Sequence, residues 1–345
     1  MTSLGVYFQD DHPLTETIEL ARYAEQRGFT TAWQSETRLA RESTVPVAAF
    51  LASTERIRAG TGVLNNWTRN PVTLACTFAT LDELAPGRAI LGIGSWYEPL
   101  ASKVGVDRRR PVAAMRETVD AVRRLLAGET VTVDGDFVQI DDVRLDWGPV
   151  ADQPRQVPIV IGATYMKMME LAGEIADGAL LNYLVPPEYN DDALEHLEIG
   201  ARRAGRTLAD VERPQLILCS VSHDRDEALR HAKRMLAHYL RQAPHIAEIS
   251  RAPDWLVERI EQTTSWPPTH GEIEAAAEVI PDEWAQSVTA SGTPDEARAA
   301  VARYVEHGCT HPVLYPLGDA RLAIDEIGGE RPVAGHEQRG ATANG

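Results

Sequence analysis

The stretch "VPIVIGATYMKMMELAGEIADGALLN", residues 157–182, decides how the rest of the chain is read. An apolar run over 157–163 ends on Gly162 and Ala163, a helical pattern follows, and a second apolar run begins at Gly178. Strand, turn, helix, strand is the repeating unit of a parallel sheet, whose strands are covered on both faces and read as continuous apolar runs. The same alternation extends both ways. Short apolar runs stand at 4–8 (LGVYF), 31–35 (TAWQS), 56–63 (RIRAGTGV) and 88–94 (RAILGIG) before it. They continue at 178–184 (GALLNYL), 215–221 (QLILCSV) and 311–316 (HPVLYP). Helical patterns fill most gaps; over 14–28, Leu14, Ile18, Ala21 and Ala24 form one stripe and Gly28 stops it. Eight such strands predict an α/β fold, a closed (β/α)₈ TIM barrel. An open doubly wound sheet with a second domain is the alternative.

Two inserts break the rhythm. Residues 131–145 alternate with period two around Asp134-Gly135, which reads as a hairpin. Residues 242–293 are Pro-rich and helical in patches, a helical excursion before the last strand. The reading makes 1–329 one barrel domain, with inserts at about 128–150 and 242–293, and 330–345 a disordered tail.

Composition excludes several classes of function. In 345 residues there is no apolar run long enough to span a membrane, and the N-terminus has no signal-peptide pattern. The three cysteines (Cys76, Cys219, Cys309) are far apart, which fits neither a zinc site nor a disulfide framework and points to a reducing, cytoplasmic setting. A net charge of −17 argues against nucleic-acid or anionic-membrane surfaces, leaving a small molecule as the expected partner.

Barrel chemistry sits where strands end. The residues there are Tyr7 and Gln9; Ser35, Glu36 and Thr37; 62–66; 94–97; 162–165; Asn182 and Tyr183; Ser222 and His223; Tyr315 and Pro316. No Cys/His cluster, nucleophile elbow or carboxylate pair is among them, so no metal is expected and acyl transfer is disfavoured. What remains reads as a cofactor cradle: strand-end glycines admit a flat ligand, and residues 162–164 precede a helix whose N–H groups suit a phosphate. Each glycine taken singly also fits a tight turn. Met166 and Met169 read as core, and His223 and His311 as satisfied rim residues. In "RIRAGTGVLNNWTRNP" (56–71), Gly60 and Gly62 interrupt a strand just before polar residues, the mark of a bend or a close ligand.

Four blocks, 78–94 (FATLDELAPGRAILGIG), 157–182, 291–301 (SGTPDEARAAV) and 307–318 (HGCTHPVLYPLG), carry a resemblance over 3–328. The chain resembles the luciferase-like superfamily of flavin- and deazaflavin-dependent oxidoreductases, and within it the coenzyme F420-dependent methylenetetrahydromethanopterin reductases. The resemblance implies a non-prolyl cis peptide at Gly62–Val63, bulging against the cofactor's middle ring. It implies that Asn65 contacts the ring or its ribityl chain and that Glu36 lies beside the cofactor. It also implies that Gly94, Ser95, Gly162, Ala163 and Thr164 hold the cofactor's chain and phosphate. Departures accompany it. Family members often carry Asp-His where this chain has Glu36-Thr37, and the pterin reductases use a first-strand glutamate where this chain has Tyr7.

The activity so implied is hydride transfer between reduced F420 and a C=N or activated C=C acceptor, such as a methylene-tetrahydropterin or tetrahydrofolate. Tyr7 or Glu36 would handle the proton as catalytic residues, and Trp67, Trp96, Tyr97 and Tyr183 would stack on a planar substrate. An FMN-dependent monooxygenase and a catalytically weak cofactor-binding protein are the rival readings. Members commonly pair through early helices, and 45–53 and 71–84 carry more apolar residues than one stripe uses, so a homodimer is expected. Arg108, Arg109 and Arg110, ahead of a helix near Pro111, suggest attraction for the cofactor's anionic tail, with a solvated loop as the alternative.

Overall fold

The computed structural model describes residues 3–36, 39–146 and 154–328. Eight parallel strands form its centre: β1 (Gly5–Phe8), β2 (Thr31–Gln34), β3 (Arg58–Thr61), β4 (Ala89–Gly94), β5 (Ile159–Ala163), β6 (Gly178–Leu181), β7 (Pro214–Val221) and β8 (His311–Leu317). Each pairs with its sequence neighbours, and the ring closes where Gly5 of β1 meets Val313 of β8. The thinnest seam joins β6 to β7 through Leu181 and Gln215, with a bridge from Gly178 to Glu212. The fold is therefore the closed barrel and not the open sheet.

The strands form here because their apolar side chains find cover on both sides. Val6, Ile161, Ile217 and Leu314 are sealed, and Tyr7, Trp33 and Tyr315 are among the largest fully buried side chains. At the lower end, the Glu25 carboxylate accepts backbone N–H bonds from Arg56 and Ile57 at 2.6 and 2.8 Å, fixing the chain's entry into β3.

Three expectations need correction. The third strand stops at Thr61, and residues Leu64–Asn65 form a separate short strand against β4. The stretch 242–293 is not helical throughout: after helices Pro244–Ile249, Asp254–Thr263, His270–Glu278 and Asp282–Ser287, Ala290–Gly292 runs as a strand beside β7. The Thr293–Glu296 capping box then starts the next helix at once, leaving only three residues for that strand. His311 stands at the start of β8, opposite the strand ends, so it is not a rim residue. The hairpin forms as antiparallel strands Val131–Asp134 and Gln139–Val143. Thr37, the 147–150 end of the first insert and the 330–345 tail lie outside the described residues.

His311 carries a pH dependence. Its Nε2 lies 2.7 Å from Thr31 Oγ1, which accepts from Trp33 Nε1 at 2.8 Å. The hydroxyl's one proton is then left for the imidazole nitrogen, which suits the neutral ring. Burial, then the nearby Arg58, push the imidazole down to about 4. The unfolded chain takes this proton near pH 6.5, so the stabilisation is complete above that pH and is lost as pH falls toward 4. His311→Gln is expected to remove up to about 3 kcal/mol of the stability difference between pH 7 and pH 4, read from urea midpoints of variant and parent at both pH values.

Candidate active site

A cavity of about 500 Å³ opens at the carboxyl ends of the strands, within the size range of cofactor sites. Its centre is the turn after β3, where the Gly62–Val63 peptide is cis. Val63 points across the barrel mouth at the ends of β4 and β5. A Cβ on Gly94 would lie 2.5 Å from Val63 Cγ2, and one on Gly162 would lie 2.9 Å from Cγ1. These two glycines therefore make room for Val63 itself, while both also line the cavity. A Cβ on Gly62 would sit 3.2 Å from the Tyr7 ring.

Glu36 and Asn65 stand on the next side of the cavity. Glu36 Oε2 accepts the Asn65 backbone N–H at 3.0 Å and its Nδ2 at 2.7 Å, while Oε1 accepts from Arg69 at 2.6 Å. Asn65 Oδ1 in turn caps the following turn, accepting from the N–H groups of Trp67 and Thr68. Burial opposes the Arg69 charge, but Glu36 and Glu42 outweigh it and raise the guanidinium's pKa. Both Glu36 oxygens are thus occupied. A carboxylate held this way orients its neighbours. Arg69 escaped the sequence reading, because no local pattern shows that it folds back 33 residues onto Glu36.

The floor is phenolic. Tyr7, Tyr183 and Tyr239 line the cavity, with Tyr315 packed edge-on behind Tyr7 at 5.0 Å. Gln9 Nε2 donates to the Tyr7 hydroxyl at 2.8 Å, and the Tyr239 hydroxyl donates to Gln9 Oε1 at 2.9 Å. Burial, then the neighbouring Tyr239, push the Tyr7 phenol far above its usual range, so it stays protonated. Tyr239 arrives from helix Arg225–Gln242, far from any strand end, and for that reason was missed.

Charge collects toward the rim. Arg108 Nε donates to the Ser95 carbonyl at 2.6 Å, and its guanidinium lines the cavity with no carboxylate in ion-pair contact among the described residues. Burial lowers its pKa. Lys167, Thr164 and His245 also line the wall, and the His245 ring lies 5.5 Å from that of Tyr97. Burial, then Arg108, lower the His245 pKa. His245 and Gln242 belong to the helical excursion, whose position over the barrel no periodicity reveals. Ser95, Trp96 and Ala163 complete the predicted set, and Trp96 holds a left-handed backbone at φ 58°.

Thirteen of the fourteen predicted site residues line this one cavity; Trp67 does not. Its indole N–H donates to the Ser95 carbonyl at 2.9 Å, and its ring packs edge-on against Phe137 of the hairpin, so it buttresses the wall from behind. The arginine triplet also divides. Only Arg108 faces the cavity, while Arg109 and Arg110 pair with Asp107 and Asp136 and flank Phe137.

Fold and site together define a TIM-barrel protein with a cofactor-sized cavity closed by phenols below and cations above. Residues 2–311 match the luciferase-like monooxygenase family, and the chain belongs to it. A 5,10-methylenetetrahydromethanopterin reductase of Methanolobus tindarius is 29% identical over 95% of this chain and 99% of its own. An F420-dependent glucose-6-phosphate dehydrogenase of Beutenbergia cavernae is 32% identical over 89% of each. The solved coenzyme F420-dependent tetrahydromethanopterin reductase of Methanopyrus kandleri superposes with a TM-score of 0.82 at 24% identity, covering 95% of this chain and 97% of that one.

The Val63 contact can be tested by a double-mutant cycle. Gly94→Ala is expected to cost about 1–3 kcal/mol through overpacking against Val63. Val63→Ala in the same chain should recover most of that loss in urea unfolding; simple additivity would show that the alanine meets something else.

Proposed function

We propose that the chain is a coenzyme F420-dependent oxidoreductase that transfers hydride between the reduced deazaflavin and a C=N or activated C=C acceptor. The observation that carries this reading is convergence: strand-end backbone at 62–65, 94–95 and 162–164 meets in one cavity with a phenolic floor and a cationic rim. A relative named for F420 chemistry, matched over 89% of its length, and a methylenetetrahydromethanopterin reductase matched over 99% of its length support it. The reading takes 1–329 as one folded unit.

The residues fit such a group. Val63, Met168, Leu180 and Leu216 offer apolar walls to a planar ring system. Helix Met166–Ile175 begins without a side-chain cap, which leaves N–H donors for a phosphate beside the half-buried Arg108. Gly94, Ser95, Gly162, Ala163 and Thr164 would hold the cofactor's chain and phosphate, and Gly62 and Val63 would back its ring. Glu36 and Asn65 would orient the ring edge, and Trp96, Tyr97 and Tyr183 would contact a planar acceptor such as a reduced pterin or folate.

Bound in this cavity, the deazaflavin supplies the hydride. Tyr7 is the catalytic residue of the reading: a neutral phenol that presents a hydrogen-bond donor to the acceptor where charge changes. Two further readings belong here. The chain pairs as a homodimer, supported by exposed Val45 and Leu84 on the early helices. It works in the reducing cytoplasm, supported by three unpaired cysteines and by the absence, among the described residues, of a helix able to cross a membrane.

Fluorescence titration with F420 and with FMN tests the cofactor; tight binding of FMN alone would move the protein to the monooxygenase reading. With a carbonyl acceptor such as 2-cyclohexen-1-one, Tyr7→Phe is expected to slow single-turnover oxidation of reduced F420 by at least about tenfold while affinity stays within about threefold, a loss near 1.4 kcal/mol. An unchanged rate would remove Tyr7 from the chemistry, and a collapse in Glu36→Gln alone would move the acid to Glu36.

A further inference from the structure

The Tyr7 hydroxyl carries one proton, and the groups behind it determine which neighbour receives that proton. Gln9 Nε2 donates to the Tyr7 oxygen at 2.8 Å, so Gln9 does not take the proton. The opposite amide orientation would turn Oε1 onto Tyr7 and consume it. In the orientation present, Oε1 is taken up by Tyr239, whose hydroxyl donates to it at 2.9 Å. Tyr183 is hydrogen-bonded to Tyr239, extending the chain by one more phenol.

Gln9 is itself held in place. Its backbone carbonyl accepts from Gln34 Nε2 at 3.0 Å and from Arg41 Nη1 at 2.8 Å. Gln9 and Tyr239 are only 2% and 6% exposed, so water does not compete for these bonds. Tyr315, packed behind Tyr7, does not replace it, since its hydroxyl is spent on Asp11. Ser35, also bonded to the Tyr7 hydroxyl, and the cavity are the remaining directions.

We infer that Gln9 and Tyr239 are positioning residues that keep the Tyr7 proton from turning inward, leave it available on the Ser35 and cavity side, and thereby favour acceptors presenting a lone pair at that point. A carbonyl oxygen or a neutral imine nitrogen has such a lone pair; an iminium nitrogen has none. This rests on the hydride-transfer reading for its substrate class, while the direction of the hydrogen bonds can be tested without it.

Gln9→Glu is the discriminating change, because an ionised carboxylate only accepts and would draw the Tyr7 proton inward. With reduced F420 and 2-cyclohexen-1-one as the carbonyl probe, the single-turnover hydride step is expected to fall about tenfold at pH 8, a typical lower effect of losing acid assistance. F420 affinity should stay within about threefold, and the step should recover as pH falls and the new carboxyl gains a proton to donate. Neither Gln9→Glu nor Tyr239→Phe, the milder change, should add to the loss in a Tyr7→Phe background, as for residues acting as a unit. N-methyl-1-pyrrolinium, the iminium probe, should be insensitive to all three. Losses that add to Tyr7→Phe, or a Gln9→Glu defect with no pH recovery, would overturn the inference.

Tyrosine labelled with ¹³C at Cζ gives a second readout on the protein without cofactor. The Tyr7 signal should move in Gln9→Glu, move back as pH is lowered, and shift in Tyr239→Phe. A signal unmoved by both changes would reject the positioning role even if F420 binds and turns over. Absence of F420 binding with the shifts present would reject the function and keep the hydrogen-bond chain.

Discussion

The top of the barrel depends on one close approach, that of the Val63 side chain to the backbone of Gly94 and Gly162. β3 ends early, at Thr61, and the chain then turns inward, so a branched side chain reaches across the mouth. It fits only because β4 ends on Gly94 and β5 carries Gly162 next to its last residue. Interiors this tightly packed do not absorb an extra methyl group cheaply. The same turn delivers Asn65 to Glu36 and sets the cavity's back wall. Small residues at the ends of β4 and β5 thus serve the shape of the protein first and any ligand second.

Around that wall the polar groups separate by depth. Deep in the cavity stand neutral phenols, which a low-dielectric site tolerates at little cost when their hydroxyls are bonded. Charges lie farther out, and the Glu36 carboxylate that lines the cavity is neutralised by Arg69 and by two donors from Asn65. Arg108 differs: it is half-buried and held by Ser95, with no carboxylate in ion-pair contact among the described residues. A cation left this way is a natural place for an anionic group, and it adjoins the uncapped start of helix Met166–Ile175.

Much of this was legible in the sequence. Apolar runs at regular spacing located all eight strands, because strands covered on both faces cannot hide their composition. From the strand positions, barrel geometry alone put Tyr7, Glu36, Gly94 and Thr164 at one end. Other features were not legible, and each for a stated reason. Trp67 follows Asn65 by two residues, yet its backbone N–H bonds to Asn65 Oδ1 and its ring turns behind the wall onto Phe137. Three arginines in a row look alike, but Asp107 and Asp136 claim two of them and Ser95 the third.

The sequence by itself determined the order of strands and helices and the list of strand-end residues, since periodicity and glycine placement are local properties of the chain; closure into a ring was settled by the pairing of β1 with β8. Only the tertiary structure decided which side chains share a surface. Tyr239 enters the cavity from the helix after the seventh strand and His245 from the helical excursion beyond it, and Arg69 reaches back to Glu36 across 33 residues. The direction of the bonds from Tyr239 through Gln9 to Tyr7 is of the same kind. A hydrogen bond between residues 230 positions apart leaves no pattern along the chain, because what selects it is the burial and geometry that folding creates.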